Sequence, residues 1–182
     1  KAVVVGGSPT ARGVVASASY EARKFGIRSA MPMKLAIQNC PKAVLVPPRF
    51  DRYRELSQQA MEIFHSLSAF VEPLSLDEAY LDVTQRVTAT KTPRRIAAQL
   101  KARIKSELGL IISVGVGTNK SVSKIASDMG KPDGLVVVSP NSERKFLAPL
   151  PVQKLPGVGP KTSLRLSAGG VHTIGDLCSR DD

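Results

Sequence analysis

The stretch SLDEAYLD, residues 75–82, sets Asp77 beside Glu78, with Glu72 and Asp82 close by and no Lys or Arg from residue 71 to 82, in a chain whose formal net charge is +11. Adjacent like charges repel, and water, neighbouring cations or bound metal must offset that repulsion. A hard divalent cation suits the pattern. Mg²⁺ takes a few carboxylates together with substrate phosphate oxygens, so an acid cluster inside a basic protein is the composition that phosphate chemistry needs. Strand side chains alternate between faces, so both acids can serve one site only if the chain bends at the pair. The flanking apolar runs VEPLSL and AYLDVT predict such a bend, a hairpin with the acids at or beside its tip. Taken alone, two carboxylates at a hairpin tip are commonly just solvated turn residues.

Three other stretches carry residues of chemical interest. ASASYEARKFGIRSAMPM (16–33) offers Tyr20, Arg23, Lys24 and Arg28 behind the glycine-rich GGSPTARG, which matches neither standard nucleotide-loop pattern. Tyr20 and Arg23, three residues apart, share a face of a short helix, where an arginine can clamp a triphosphate and a phenol can add a hydrogen bond. GVGTNKSVSKIASDMGKPDG (115–134) runs from a strand into a helix capped by Thr118 or Asn119. That helix must stop near Gly130, so Lys131, just before Pro132, can project from its end into a cleft; a plain surface lysine is the alternative. LPGVGPK (155–161) has the helix-hairpin-helix pattern, in which Gly157 and Gly159 allow close backbone approach and the helix bearing Lys161 offers amides to a DNA phosphate. An ordinary helix–turn–helix corner is the competing interpretation.

The elements that must position these residues follow from periodicity. β-type runs occur at 2–7, 14–17 and 43–47. From Phe50 to Phe70, Tyr53, Leu56, Ala60, Ile63, Phe64 and Leu67 recur at three- and four-residue spacing, one buried helix face. After residue 71 come the two hairpin strands, a basic helix at about 93–108, the strand IISVGVG (111–117), a helix from Asn119 and the strand GLVVV (134–138). The resulting order ββαβαβ, behind a long helix, predicts an α+β layer with helices on one face of a mixed sheet. SPNSERKFLAPLPV, from residue 139, reads as a linker or domain boundary, and beyond it KLPGVGPKTSLRL and GGVHTIGDL read as two short helices around a glycine-containing hairpin.

The totals set the frame. A chain of 182 residues forms one ordinary domain or two small ones with a real core. No apolar run is long enough to span a bilayer, and the chain does not carry the charged, apolar and small-residue sequence of a signal peptide. The start at Lys1, without Met and inside an apolar run, leads us to expect a piece of a longer protein. Cys40 and Cys178 stand far apart with no metal-ligand spacing, so neither zinc nor a disulfide is indicated and a reducing, cytoplasmic setting fits. The basic excess concentrates between Lys91 and Lys131, where nine Lys or Arg meet two acids. Such a field attracts phosphate backbones, although a solvated lysine-rich face gives the same count.

SYEARKFGIRSAMPM, PPRFDRYRELS, EPLSLDEAYLDVT, GVGTNKSVSKIASDMGKPDG and LPGVGPKT together, in this order and spacing, resemble the Y-family translesion DNA polymerases, nearest to their DinB or polymerase IV group. The resemblance covers nearly the whole chain. It implies an α+β fold: small fingers over 1–49, a ferredoxin-like polymerase palm over 50–138 and an incomplete helix-hairpin-helix thumb over 139–182. It further implies template-directed DNA synthesis, with Asp77 and Glu78 as metal-binding and catalytic carboxylates for two Mg²⁺ ions, Mn²⁺ being a possible substitute. Tyr20, Arg23 and Lys131 correspond to residues on the incoming triphosphate, and Ser17 stands where the family usually has Thr. Gly157, Gly159 and Lys161 correspond to the DNA-binding hairpin. The implied partners are primer-template DNA, deoxynucleoside triphosphates and, through a C-terminal segment, a sliding clamp; a monomer with no membrane association is expected.

The family's first palm strand, with a further metal-binding Asp and an aromatic steric gate, is expected ahead of Lys1, and its little-finger domain beyond the last residue. The isolated chain is accordingly expected to be inactive. Two further classes stay open: a non-catalytic helix-hairpin-helix DNA-binding module and an inactive Y-family scaffold. The acid pair weighs against both, because carboxylates repel the backbone that such a module binds.

Overall fold

The computed structural model describes residues 1–180. The chain divides into two compact units, one over residues 1–54 and the other from Glu55 onward.

In the first unit the β-branched run Val3 to Val5 forms β1 (Val3–Gly6), the centre of a three-stranded sheet. β2 (Val15–Ala18) pairs with it antiparallel, setting Ser17 opposite Val5, and β3 (Val44–Val46) pairs with it in parallel. Between β2 and β3 lie α1 (Tyr20–Arg23), whose cap Ser19 accepts from the Ala22 amide at 3.3 Å, and α2 (Met33–Asn39). The core joins Val4 and Val15 of the sheet to Ala22, Ile27, Met33 and Ala36. Gly6 is required here, since a Cβ would meet the Val14 carbonyl at 2.5 Å and the Met33 sulfur at 2.6 Å.

α3 (Phe50–Leu67) buries the predicted face unevenly: Ile63 is buried, while Ala60, Phe64 and Leu67 are half-buried around it. These side chains meet Leu100 and Ile104 of α4 (Pro93–Leu108), a helix delimited by the Thr92 side chain, which accepts from the Arg95 amide, and by Gly109 at φ 67°. β4 (Phe70–Pro73) and β5 (Ala79–Asp82) form the expected antiparallel hairpin, registered from Phe70 opposite Asp82 to Pro73 opposite Ala79. β6 (Val114–Val116), α5 (Lys120–Met129) and β7 (Leu135–Val137) form a β-α-β crossover with the two strands parallel. Asn119 caps α5 by accepting from the Val122 amide at 3.0 Å. Its buried residues Val122, Ile125 and Ala126 lie at helical spacing.

The order ββαβαβ is therefore present from residue 70. Two details differ from expectation. The first hairpin strand ends at Pro73 rather than running through VEPLSL, because the amides of Leu74 and Ser75 both turn inward onto the Glu78 carbonyl. Among the described residues of the second unit the strands form two separate ladders, β4 with β5 and β6 with β7, rather than one continuous mixed layer. Order along the chain specifies which strands follow one another, and lateral pairing between ladders is a tertiary matter.

The proline-rich stretch after residue 139 is more structured than a linker. It contains α6 (Glu143–Leu147), and Phe146 and Leu147 pack on Val122, Ala126 and Val138. A 3₁₀ turn (Val152–Lys154) leads to α7 (Pro160–Ala168) and then α8 (Ile174–Cys178), the last closed by a reciprocal cap between Thr173 and Asp176. No described helix is long and apolar enough to cross a membrane.

Candidate active site

Asp77 and Glu78 lie in the loop 74–78 that joins β4 to β5, where the predicted bend is present. The Glu78 carbonyl accepts from the amides of Leu74 at 2.8 Å and Ser75 at 3.2 Å, which closes the loop on itself. Ser75 Oγ donates to Asp77 Oδ1 at 2.6 Å and accepts from the Asp77 amide at 3.3 Å, so a local hydroxyl orients that carboxylate. Asp77 is exposed and Glu78 half-buried. The two neighbouring acids turn to other partners. Glu72 pairs with Lys120, and Asp82 accepts from the Thr84 amide at 2.8 Å, hydrogen bonds to Thr84 holding its carboxyl below the usual range.

The cations that offset this acidity come from α5, and sequence reasoning missed them. Lys120 Nζ pairs with Glu72 and stands 5.8 Å from the centroid of the Tyr80 ring. One turn later Lys124 pairs with Glu78 and lies 3.5 Å from Asp128, whose other oxygen receives Lys131 Nζ at 2.6 Å. Glu78, Lys124, Asp128 and Lys131 thus form a chain of alternating charge along one side of α5. Two predicted site residues stand at its ends. Lys131 itself is folded back on Asp128 rather than projecting from the helix end. The usable signal was the spacing: Lys120, Lys124 and Asp128 recur every four residues on a helix whose start was legible.

Burial alone would lower the Lys124 pKa, but its hydrogen bond to Glu78 and the charges of Asp128 and Glu78 outweigh that and leave it above the ordinary lysine value. Burial would raise Asp128, yet the hydrogen bond and charge of Lys131, with Lys124 behind them, hold it below the ordinary carboxylate range. More broadly, among the described residues five of the nine cations between Lys91 and Lys131 pair with acids: Lys101, Arg103, Lys120, Lys124 and Lys131. The basic surplus counted there is thus not all available to an external phosphate backbone.

In the first unit, Tyr20 and Arg23 share the face of α1 as their spacing predicted. The guanidinium carbon stands 6.0 Å from the Tyr20 ring centroid, and Arg23 Nε donates to the Ala18 carbonyl at 3.0 Å. Tyr20 is about half exposed and Ser17 is exposed on β2. In the helix-hairpin-helix segment, Gly157 adopts φ 89°, where a side chain would be strained. Gly159 caps α7 with no side-chain hydrogen bond, and Lys161 is exposed in the first turn. A helix start without a side-chain cap keeps its amides available to an anion.

Among the described residues no three His, Cys, Asp or Glu side chains gather as a metal cluster. The donor set at the hairpin is the carboxylate pair Asp77 and Glu78. That set fits Mg²⁺, which takes one or two carboxylates and completes its shell with water and phosphate oxygens.

The sequence model of the impB/mucB/samB family matches residues 1–128, and that of the helix-hairpin-helix motif of the same family matches residues 140–171. The chain is 50% identical over 175 residues to DNA polymerase IV of Ralstonia nicotianae, covering 96% of this chain and 49% of that protein. It is 52% identical over 175 residues to DNA polymerase IV of Halorhodospira halophila, with the same two coverages, 96% and 49%. The chain thus spans about half the length of the curated relatives it matches. Its fold superimposes on a crystal structure of DinB from Sulfolobus solfataricus with TM-score 0.92 at 36% identity, over 100% of this chain and 53% of that one. An insertion ternary complex of Dbh DNA polymerase gives TM-score 0.89 at 35% identity, over 100% and 54%. Matched by the family's sequence model over residues 1–128 and by half-identical relatives along nearly its whole length, this chain belongs to the impB/mucB/samB family, in the DinB-like group that its five motifs resemble.

Proposed function

We propose that this chain is the fingers (1–49), palm (50–138) and thumb (139–182) of a translesion DNA polymerase. The whole protein adds deoxynucleotides to a primer 3′ end opposite damaged or undamaged template. The supporting observation is the hairpin loop 74–78, which carries adjacent Asp77 and Glu78 in a family whose sequenced relatives bear the name DNA polymerase IV.

Asp77 and Glu78 would hold divalent ions, two Mg²⁺ with Mn²⁺ as a substitute, which supply neutralisation of phosphate charge and a more acidic 3′-hydroxyl. The remaining work belongs to the chain's own residues. Ser75 keeps the Asp77 carboxylate in one orientation. The Glu78 carboxylate receives and orients the primer 3′-hydroxyl. Arg23 and Tyr20 clamp the triphosphate, Ser17 adds a hydroxyl donor, and Lys131 leaves Asp128 to bind phosphate oxygen. Gly157, Gly159 and Lys161 present amides and a cation to the DNA backbone, which positions the duplex without reading its sequence. The protein works as a cytoplasmic monomer and meets a sliding clamp through a segment outside this chain.

Arg23→Ala tests the triphosphate clamp. A charge-assisted hydrogen bond is worth about 1.5–3 kcal/mol, so the nucleotide KM is expected to rise at least about tenfold with a smaller change in kcat. A normal KM in steady-state single-nucleotide insertion would remove Arg23 from the triphosphate site.

The reaction itself is tested by primer extension with the full-length protein, Mg²⁺ and deoxynucleotides on undamaged and lesion-bearing templates, beside Glu78→Gln. Extension past the lesion that disappears in the variant is the expected result. Absent extension despite tight DNA binding would overturn the proposal in favour of a non-catalytic binding module.

A further inference from the structure

Glu78 is not free to serve a metal or a primer terminus in this structure, because Lys124 holds it. Lys124 is in turn shared. It lies 3.5 Å from Asp128, which is itself engaged with Lys131 at the shorter distance of 2.6 Å. Both lysines and Asp128 sit within one helix and the turn that follows it, so a change at Lys131 reaches Glu78 through two side chains and needs no backbone movement. The side chain of Lys124 is 21% exposed, and among the described residues it pairs with those two carboxylates. Withdrawing either partner therefore strengthens its hold on the other.

From this geometry we infer that Lys124 is a positioning residue: it occupies Glu78 while the site holds no metal, and Asp128 draws it away once an anion takes Lys131. The inference rests on the assignment of Asp77 and Glu78 as metal ligands and of Lys131 as a phosphate ligand. When a triphosphate captures the Lys131 ammonium, Asp128 loses its nearer cation and becomes the stronger competitor for Lys124. Glu78 is released as a consequence. Nucleotide arrival and metal binding are thereby coupled through a swap of ion-pair partners, with no proton transferred and no bond broken. The coupling has a chemical use, since it keeps the Glu78 charge paired until the substrate that needs it is present.

Lys120 provides the internal control. It stands one turn before Lys124 on the same helix, carries the same charge and pairs with an acid of the same hairpin, but with Glu72 instead of Glu78.

The experiment is Mn²⁺ binding to the full-length protein, without DNA or nucleotide, followed by the electron paramagnetic resonance of the free ion. Lys124→Met is expected to tighten Mn²⁺ binding about two- to fivefold, the range open to a part-exposed ion pair, and Lys124→Arg to stay near wild type. Lys120→Met should tighten it clearly less. Asp128→Asn removes the competitor for Lys124 and is expected to weaken Mn²⁺ binding. Lys131→Met imitates capture of that ammonium and is expected to tighten it, and Lys131→Met combined with Asp128→Asn should behave as Asp128→Asn alone. Additive effects in that cycle, or equal effects of Lys124→Met and Lys120→Met, would reduce the charge chain to general electrostatics and overturn the inference. Should Lys124→Met fail to fold by circular dichroism, the Asp128 and Lys131 cycle decides alone. Asp77→Asn separates the two levels. Unchanged Mn²⁺ binding in that variant would defeat the metal assignment itself, whereas weakened binding with an additive cycle would defeat only the coupling.

Discussion

Asp77→Ala in the full-length protein is expected to lower the single-turnover rate of nucleotide insertion by about 10³-fold or more. Groups that merely orient a metal ligand are worth about 10–100-fold, and removal of a ligand itself exceeds that. The loss should be chemical rather than structural. Asp77 is exposed in loop 74–78, and its side chain's hydrogen-bond partner is Ser75, two residues away, so the fold has little to lose. Affinity for primer-template DNA, read by fluorescence anisotropy, should be unchanged or slightly higher, because one negative charge near the phosphate backbone is gone. Insertion within tenfold of wild type would remove Asp77 from the reaction. Loss of DNA binding in parallel with insertion would point instead to a damaged fold.

The second large effect lies in packing. Gly115, in β6, faces α5 so closely that a Cβ would meet the Ser123 carbonyl at 2.0 Å and the Ser127 amide at 2.4 Å. Those atoms are backbone, which cannot rotate aside, so Gly115→Ala must push the helix off its strand. Overpacking of this kind costs about 1–3 kcal/mol, with backbone clashes at the upper end. For a protein of this size about 3 kcal/mol corresponds to roughly 6–12 °C in Tm. Thermal or urea unfolding measures it, and a variant within about 0.5 kcal/mol of wild type, the usual range of a surface change, would show that the close approach is not maintained in solution. The same shift would move Lys120 and Lys124 away from Glu72 and Glu78. Gly115→Ala should therefore also alter metal binding, even though it lies in the strand behind the helix.

Much of the architecture was legible from local patterns. The three- and four-residue recurrence of Ile63, Phe64 and Leu67 marked α3, and Thr118 or Asn119 marked the start of α5, which the structure caps with Asn119. In each case the signal and the structure depend on the same few consecutive residues. Strand ends were less legible: IISVGVG suggested seven residues, yet only Val114 to Val116 find a partner, because β7 offers three facing positions. The stretch after residue 139 misled more clearly. Its proline and polar content suggested a linker or domain boundary, and the linker half fails because α6 forms there and Phe146 and Leu147 pack on Val122 and Val138.

By itself the sequence determined the order of the elements, the bend that gathers Asp77 and Glu78, and the five motifs that carry the family resemblance, because helix caps, periodicity and turn chemistry act between residues close in the chain. Only the tertiary structure decided which cations meet the hairpin acids Glu72 and Glu78. Lys120 and Lys124 lie 48 and 46 residues beyond Glu72 and Glu78, and nothing in local spacing brings them across. They arrive because Gly115 lets α5 settle against β6, so a glycine without chemistry of its own places the cations beside the carboxylates.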